Sequence, residues 1–314
     1  MPTPAGGPPR ARGILGAALL LAAFLLAAWP IHMGFFFLPL AGLLVLAEPR
    51  SIREFAWIAV SLLWAVAWLP RPSPMHLQAV KAGVVMATGA LVALRLSRPA
   101  LAPGAATLAA VGLAVLGTLL WSVGLGLGWD AMHAAALREG WSTYRTLVVQ
   151  AAGASPVLAE SLKAGIGPAA TLFPGLAALM GLAGVRLAWG WHRRIARVPL
   201  QPAPAGLAEF RFNDHLVWGL AGALALVLFV AAGPAAALGQ NLLLVFGALY
   251  AGRGLAVTAT LGAGLPRFVA ALLAASALLL FPFAATGLFV LGVADTWVDF
   301  RRRLAPPLPG GQDR

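Results

Sequence analysis

Apolar positions along this chain come in long runs broken by short polar or basic clusters, with neither the strict alternation of a half-buried strand nor a narrow helical stripe. The runs are Gly13 to Trp29, Met33 to Ala47, Phe55 to Leu69, Leu77 to Leu96 and Ala100 to Leu127. After a more polar interval come Pro168 to Trp189, Leu216 to Ala232, Leu238 to Ala263 and the long stretch Phe268 to Phe300. A spanning helix needs about 20 apolar residues, so several of these predict short, tilted or broken membrane segments. The expected fold is an all-α, polytopic integral membrane bundle of roughly eight to ten segments.

Composition agrees with the pattern. Of 314 residues, 61% are hydrophobic and 10% charged, against about 25% charged in ordinary soluble domains. No stretch is left for a separate soluble core, so residues 13–300 read as one polytopic membrane domain, between a cytoplasmic tail at 1–12 and a basic cytoplasmic tail at 301–314.

The formal charge of +12 does not gather on one polar module, which excludes nucleic acid as a partner on this reading. The basic residues fall between apolar runs, at Arg10 and Arg12, Arg50 and Arg53, Arg95 and Arg98, Arg193, Arg194 and Arg197, and Arg301 to Arg303. Short basic loops mark the cytoplasmic side. With the N-terminus inside, this walk is self-consistent and predicts a multi-pass protein of a bacterial-type inner membrane with both termini cytoplasmic. The first run has a basic flank and small residues near Ala27 and Ala28, yet further apolar runs follow at once, favouring an uncleaved first helix over a removed signal peptide.

A single span from Phe268 onward would strand Arg301 to Arg303 outside, and Pro282 interrupts that run, so two short helices turning near Phe281 and Pro282 are expected. In the interval 129–167, Leu137, Trp141, Tyr144 and Val148 recur at helical spacing while Arg138, Glu139, Thr143 and Arg145 fill other faces. This predicts an amphipathic segment on the outer surface. A cytoplasmic connector at 193–215 ends in FRFNDHLVW, where Asn213 or Asp214 is suited to cap the next helix.

Catalytic patterns are missing from the sequence. There is no cysteine, and the five histidines stand at no metal-ligand spacing from one another. Neither a phosphate-binding loop nor a nucleophile elbow nor a zinc-protease motif occurs, so no enzyme activity, metal or cofactor is expected.

The informative residues are polar ones inside apolar runs: Lys81, Asn241, Arg253 and Asp295. A charge at the bilayer centre costs about 2.5 to 3.5 kcal/mol even on the lenient insertion scale, so such residues should face protein or water. Lys81 stands close enough to the outer end to snorkel. Arg253, between Gly252 and Gly254, invites two readings. The glycines could loosen the helix and let Asn241, Arg253 and Asp295 line a solute site, or Arg253 could be neutralised by Asp295. Asp299 can pair with Arg302 or Arg303 at i+3 or i+4, whereas Asp295, one turn deeper, is expected to need a partner on another helix. Arg253, Asp295, Asp299 and Arg303 are therefore also the candidate ion-pairing set.

The segments QNLLLVFGALYAGRGLAV, LGVADTWVDFRRR and FRFNDHLVW carry a resemblance. An Asn-initiated helix with a later Gly-Leu pair, a terminal Gly-x-x-Asp followed by arginine, and an aromatic-basic entry segment resemble the YybS-like family of integral membrane proteins, a family of unknown function. That likeness implies a more distant similarity to the substrate-binding membrane subunits of energy-coupling-factor transporters, and it assigns no catalytic residue. The leading functional expectation is a small-solute-binding or transport component with a pocket between helices. The alternative is a non-enzymatic membrane scaffold or regulatory protein of the cell envelope. The expected partners are the lipid bilayer, a small-molecule solute and other membrane subunits.

Overall fold

Apolar runs inside a bilayer leave the backbone few ways to satisfy its amides, and every regular element among the described residues is helical. The computed structural model describes residues 29–150, 156–200 and 206–304. The expected first helix lies outside the described residues apart from its last position, Trp29, as does most of the basic C-terminal tail. The chain divides into two compact units, at residues 202 and 203.

Unit 1 contains α1 (Trp29–Leu46), α2 (Ile52–Trp68), α3 (Met75–Ser97), α4 (Pro103–Gly124), α5 (Trp129–Gln150) and α6 (Pro156–Ile195). Its core forms where α1, α3, α4 and α6 bring Leu40, Leu43, Leu91, Ala110, Val185 and Trp189 together. Close approach of α1 and α6 needs Gly184, where a Cβ would come 2.6 Å from that of Phe35. The described residues of the polar interval 129–167 form α5 and the first part of α6. At 40 residues α6 is the longest element among the described residues, and about 60 Å of helix exceeds a hydrocarbon core of about 30 Å. Part of it therefore extends beyond the apolar layer, and α5 packs along it and against α3.

Unit 2 contains α7 (Leu216–Phe229), α8 (Gly233–Leu261), α9 (Arg267–Leu279) and α10 (Phe281–Val298), with a short helical turn at Leu207–Glu209 before α7. The run from Phe268 is broken at Leu280, and Pro282 stands in the first turn of α10, where a missing N–H costs nothing. The tightest contact is between α8 and α10. A Cβ at Gly254 would meet the Leu288 carbonyl, and one at Gly292 the Tyr250 carbonyl. Two backbones can come this close only without side chains at the crossing.

Five helices among the described residues are long and apolar enough to cross a membrane: α3, α4, most of α6, α8 and α10. Shorter apolar helices occupy Met33–Leu46, Leu216–Phe229 and Arg267–Leu279. Many large apolar side chains on these elements are exposed, Phe229 and Phe268 among them. Such surfaces contact the lipid bilayer.

Candidate functional site

Arg253 is fully buried in the C-terminal half of α8, so its charge needs partners close by. Its Nε–H donates to Asp295 Oδ2 at 2.9 Å, one terminal nitrogen donates to the Asp295 carbonyl at 3.0 Å, and the other to Asp214 Oδ1 at 2.5 Å. The guanidinium also lies over the Phe212 ring, 5.6 Å from its centroid. Asp295 is equally buried. Its Oδ2 also accepts from Arg301 at 2.9 Å, and its Oδ1 accepts the Phe300 amide at 3.1 Å. Arg301 donates in addition to the Phe210 carbonyl at 2.9 Å. At the rim, Arg211 meets Asp299 at 3.4 Å and Asp214 at 3.8 Å. Three arginines thus face three aspartates, and the cluster carries no net charge.

Two local expectations are corrected by the backbone. Asp299 ends α10 with a left-handed conformation, φ 48°, a geometry that short polar side chains tolerate. The chain then enters a short helical turn at Phe300–Leu304, so positions beyond Asp299 no longer continue the face of α10. Arg301 consequently folds back onto Asp295, which sequence spacing placed out of its reach. For the same reason the Asp299 carboxylate faces Arg211, while Arg303 meets Asp299 through its backbone N–H and the Asp299 carbonyl at 3.3 Å. The second correction concerns Gly252 and Gly254. Helix α8 runs unbroken through both, and Gly254 serves the approach of α10 rather than a gap for a solute.

Asn241 is not brought to this cluster. It stands 12 positions before Arg253 on α8, about 18 Å along the axis, and its side-chain amide donates to the Ala237 carbonyl at 2.8 Å. Asn213 accepts the His215 amide at 3.0 Å. Asp214, weighed from sequence as a cap, is instead an Arg253 partner. Two neighbouring hydroxyls of unit 2, on Tyr250 and Thr296, are buried without a hydrogen bond of ordinary geometry.

In unit 1 the buried cations are held differently. Lys81 is 8% exposed, and its Nζ donates to the carbonyls of Arg71 at 2.6 Å and Leu69 at 3.2 Å, just past the end of α2. The ammonium also lies 5.4 Å from the Trp68 ring centroid. It clamps a loop rather than reaching for headgroups. Arg95 donates to the carbonyls of Leu101 at 2.6 Å and Pro99 at 2.8 Å, with its face on Trp189. Both cations turn interhelical loops into rigid corners.

Glu54, just ahead of the second apolar run, closes a capping box with Ser51 and accepts the Arg197 amide at 2.8 Å. The Arg197 N–H, followed by the Ser51 hydroxyl and the Arg50 amide, lowers its carboxyl pKa to about 2.

A groove of about 1,050 Å³ lies in unit 1 between the start of α3 and α5. Pro74, Met75 and Gln78 form one side, and the α5 residues Arg138, Trp141, Tyr144 and Arg145 are on the other. Trp141 and Tyr144 pack edge to face at 5.7 Å. The Arg145 Nε–H donates to the Trp141 carbonyl at 3.3 Å, which holds the side chain along the lining of the groove. Spacing alone puts Trp141 and Tyr144 on the apolar face of an amphipathic helix and Arg138 and Arg145 on its other faces, whereas the groove is lined by all four. The opposing wall from α3, which makes the face a groove, comes from 60 residues upstream and left no periodic signal.

A helical membrane protein with these polar features is the class the fold defines. The chain matches a family model described as a predicted membrane protein, DUF2232, over residues 15–296, and belongs to that family. No curated protein and no solved structure matches it.

Proposed function

We propose that this chain is a non-enzymatic, small-solute-binding component of a membrane, whose solute occupies the groove between α3 and α5. The observation that carries this reading is the groove itself, about 1,050 Å³ with aromatic, amide and guanidinium groups converging on it. The set Asn241, Arg253 and Asp295 is a poorer site, because Arg253 and Asp295 are taken up by each other, Asp214, Arg301 and the Phe300 amide, and Asn241 stands apart. Their role on this reading is structural, as an ion-paired pin between α8 and α10.

The charge pattern of the loops supports an inner membrane of bacterial type with both termini cytoplasmic, which sets the groove on the outer side. The resemblance to YybS-like proteins, and through them to the substrate-binding subunits of energy-coupling-factor transporters, points the same way and suggests other membrane subunits as partners. The membrane scaffold remains the competing reading, favoured by the self-sufficient charge cluster of unit 2.

The deciding experiment is thermal unfolding of the purified protein across a library of small metabolites. A solute that raises the midpoint for the native protein and not for Trp141→Ala supports binding in the groove. If no solute shifts the midpoint, the scaffold reading stands instead.

A further inference from the structure

Resting on that reading, we propose that the groove takes an amphiphilic anion, with a carboxylate or phosphate group on Arg138 and Arg145 and an apolar body against Trp141 and Met75. Arg138, Trp141 and Arg145 stand at i, i+3 and i+7 on α5, so an aromatic ring lies between two guanidinium groups on one helical face. The Cα atoms of the two arginines are about 10 Å apart along the axis, a span their long side chains close around a single acid group. Among the described residues neither arginine has a carboxylate within ion-pair distance, in contrast to Arg253, Arg211 and Arg301. Glu139 is the single acid of the lining, so the groove keeps a net positive charge.

The opposing wall is apolar at Pro74 and Met75. Gln78 spends its amide N–H on the Ser73 carbonyl at 2.9 Å, leaving its side-chain oxygen as an acceptor. An inorganic anion would use the arginines and ignore the ring. An uncharged hydrocarbon would use Trp141, Tyr144 and Met75 and leave two cations without a counter-charge. A ligand with both parts uses the whole surface, and guanidinium is the side chain best shaped for a forked acid group.

The test uses full-length protein in nanodiscs of zwitterionic lipid, titrated with hexyl phosphate, hexanol and inorganic phosphate while the unfolding midpoint is read. Hexyl phosphate should bind at least ten-fold more tightly than either fragment, and raised salt should weaken it. Arg138→Gln with Arg145→Gln, both exposed positions, should lose at least ten-fold for hexyl phosphate while keeping the unliganded midpoint. Nanodiscs containing phosphatidylglycerol identify the source. An arginine-dependent rise in midpoint without added solute assigns the acid group to a lipid headgroup, and its absence assigns it to a soluble molecule. Equal binding of hexanol, or unchanged hexyl phosphate binding by the double variant, overturns the anion proposal. If neutral metabolites still bind in a Trp141-dependent way, solute binding survives and only the anion chemistry is wrong. If nothing binds, both fall.

Discussion

The two units bury their cations by opposite means. In unit 2, Arg253 sits in a ring of carboxylates, with Asp295 and Asp214 in direct contact and Arg301 sharing Asp295. In unit 1, Lys81 and Arg95 use backbone carbonyls and tryptophan faces, without a carboxylate at hydrogen-bond distance among the described residues. The first arrangement cancels charge and ties helices that are far apart in sequence. The second keeps the positive charge and fastens a loop to its own neighbour. A carboxylate cluster is fragile to loss of one member, because the survivor is a buried charge, whereas a carbonyl clamp loses only its own bonds.

The comparison breaks most visibly at Asp295. Asp295→Ala takes the only carboxylate seen on Arg301 among the described residues and leaves the buried Arg253 with Asp214 alone, and the expected loss is about 3 to 5 kcal/mol of stability, read as a lowered unfolding midpoint in detergent or nanodiscs. Combining Asp295→Leu with Arg253→Met should recover part of it, since the two fully buried charges leave together while the partly exposed Arg301 and Asp214 each lose one partner. A double variant as damaged as the single one would show that the pair does more than cancel charge.

Gly292→Ala comes next. The added methyl meets the Tyr250 carbonyl, so α10 must move off α8, at an expected cost of about 1 to 3 kcal/mol. Because the ion pairs span the same two helices, this variant should also raise hydrogen exchange of the Asp295 to Val298 amides. Unchanged exchange would separate the glycine contact from the charge cluster.

Lys81→Met should cost about 1 to 3 kcal/mol, by leaving the Leu69 and Arg71 carbonyls without a donor. No carboxylate is stranded, so this loss should be smaller than that of Asp295→Ala and less sensitive to added salt. A loss as large as the one at Asp295 would erase the distinction between clamp and cluster.

The smallest effect expected is at Glu54. Its carboxyl is held down to about 2 in the folded protein against an ordinary value of 4.5, so it binds its proton more readily when unfolded. The stability it lends is complete above about pH 4.5 and fades as pH falls toward 2. Glu54→Gln should flatten that part of the pH profile, measured as unfolding midpoints between pH 5 and 3. A native-like slope in the variant would assign the effect to other acids.

Much of the fold was legible in the order of residues. The apolar runs, the break before Pro282 and the helical face of α5 are local, because a bilayer demands long apolar helices, proline removes a donor and side chains repeat every few residues. Arg253 and Asp295 stood out as charges within apolar runs, and a pairing between them was readable as one alternative. Asp214 and Arg301 were not readable as their partners, since Asp214 precedes Arg253 by 39 residues and only the left-handed turn at Asp299 returns Arg301 to Asp295. The groove escaped for a related reason: α5 showed an amphipathic face, but a face becomes a cavity only when another helix stands across from it. The sequence by itself determined that the chain is helical, lives in a membrane and carries buried charge. The tertiary structure alone decided which charges cancel and which arginines line the groove without a carboxylate among the described residues, because both depend on contacts between segments that no local spacing encodes.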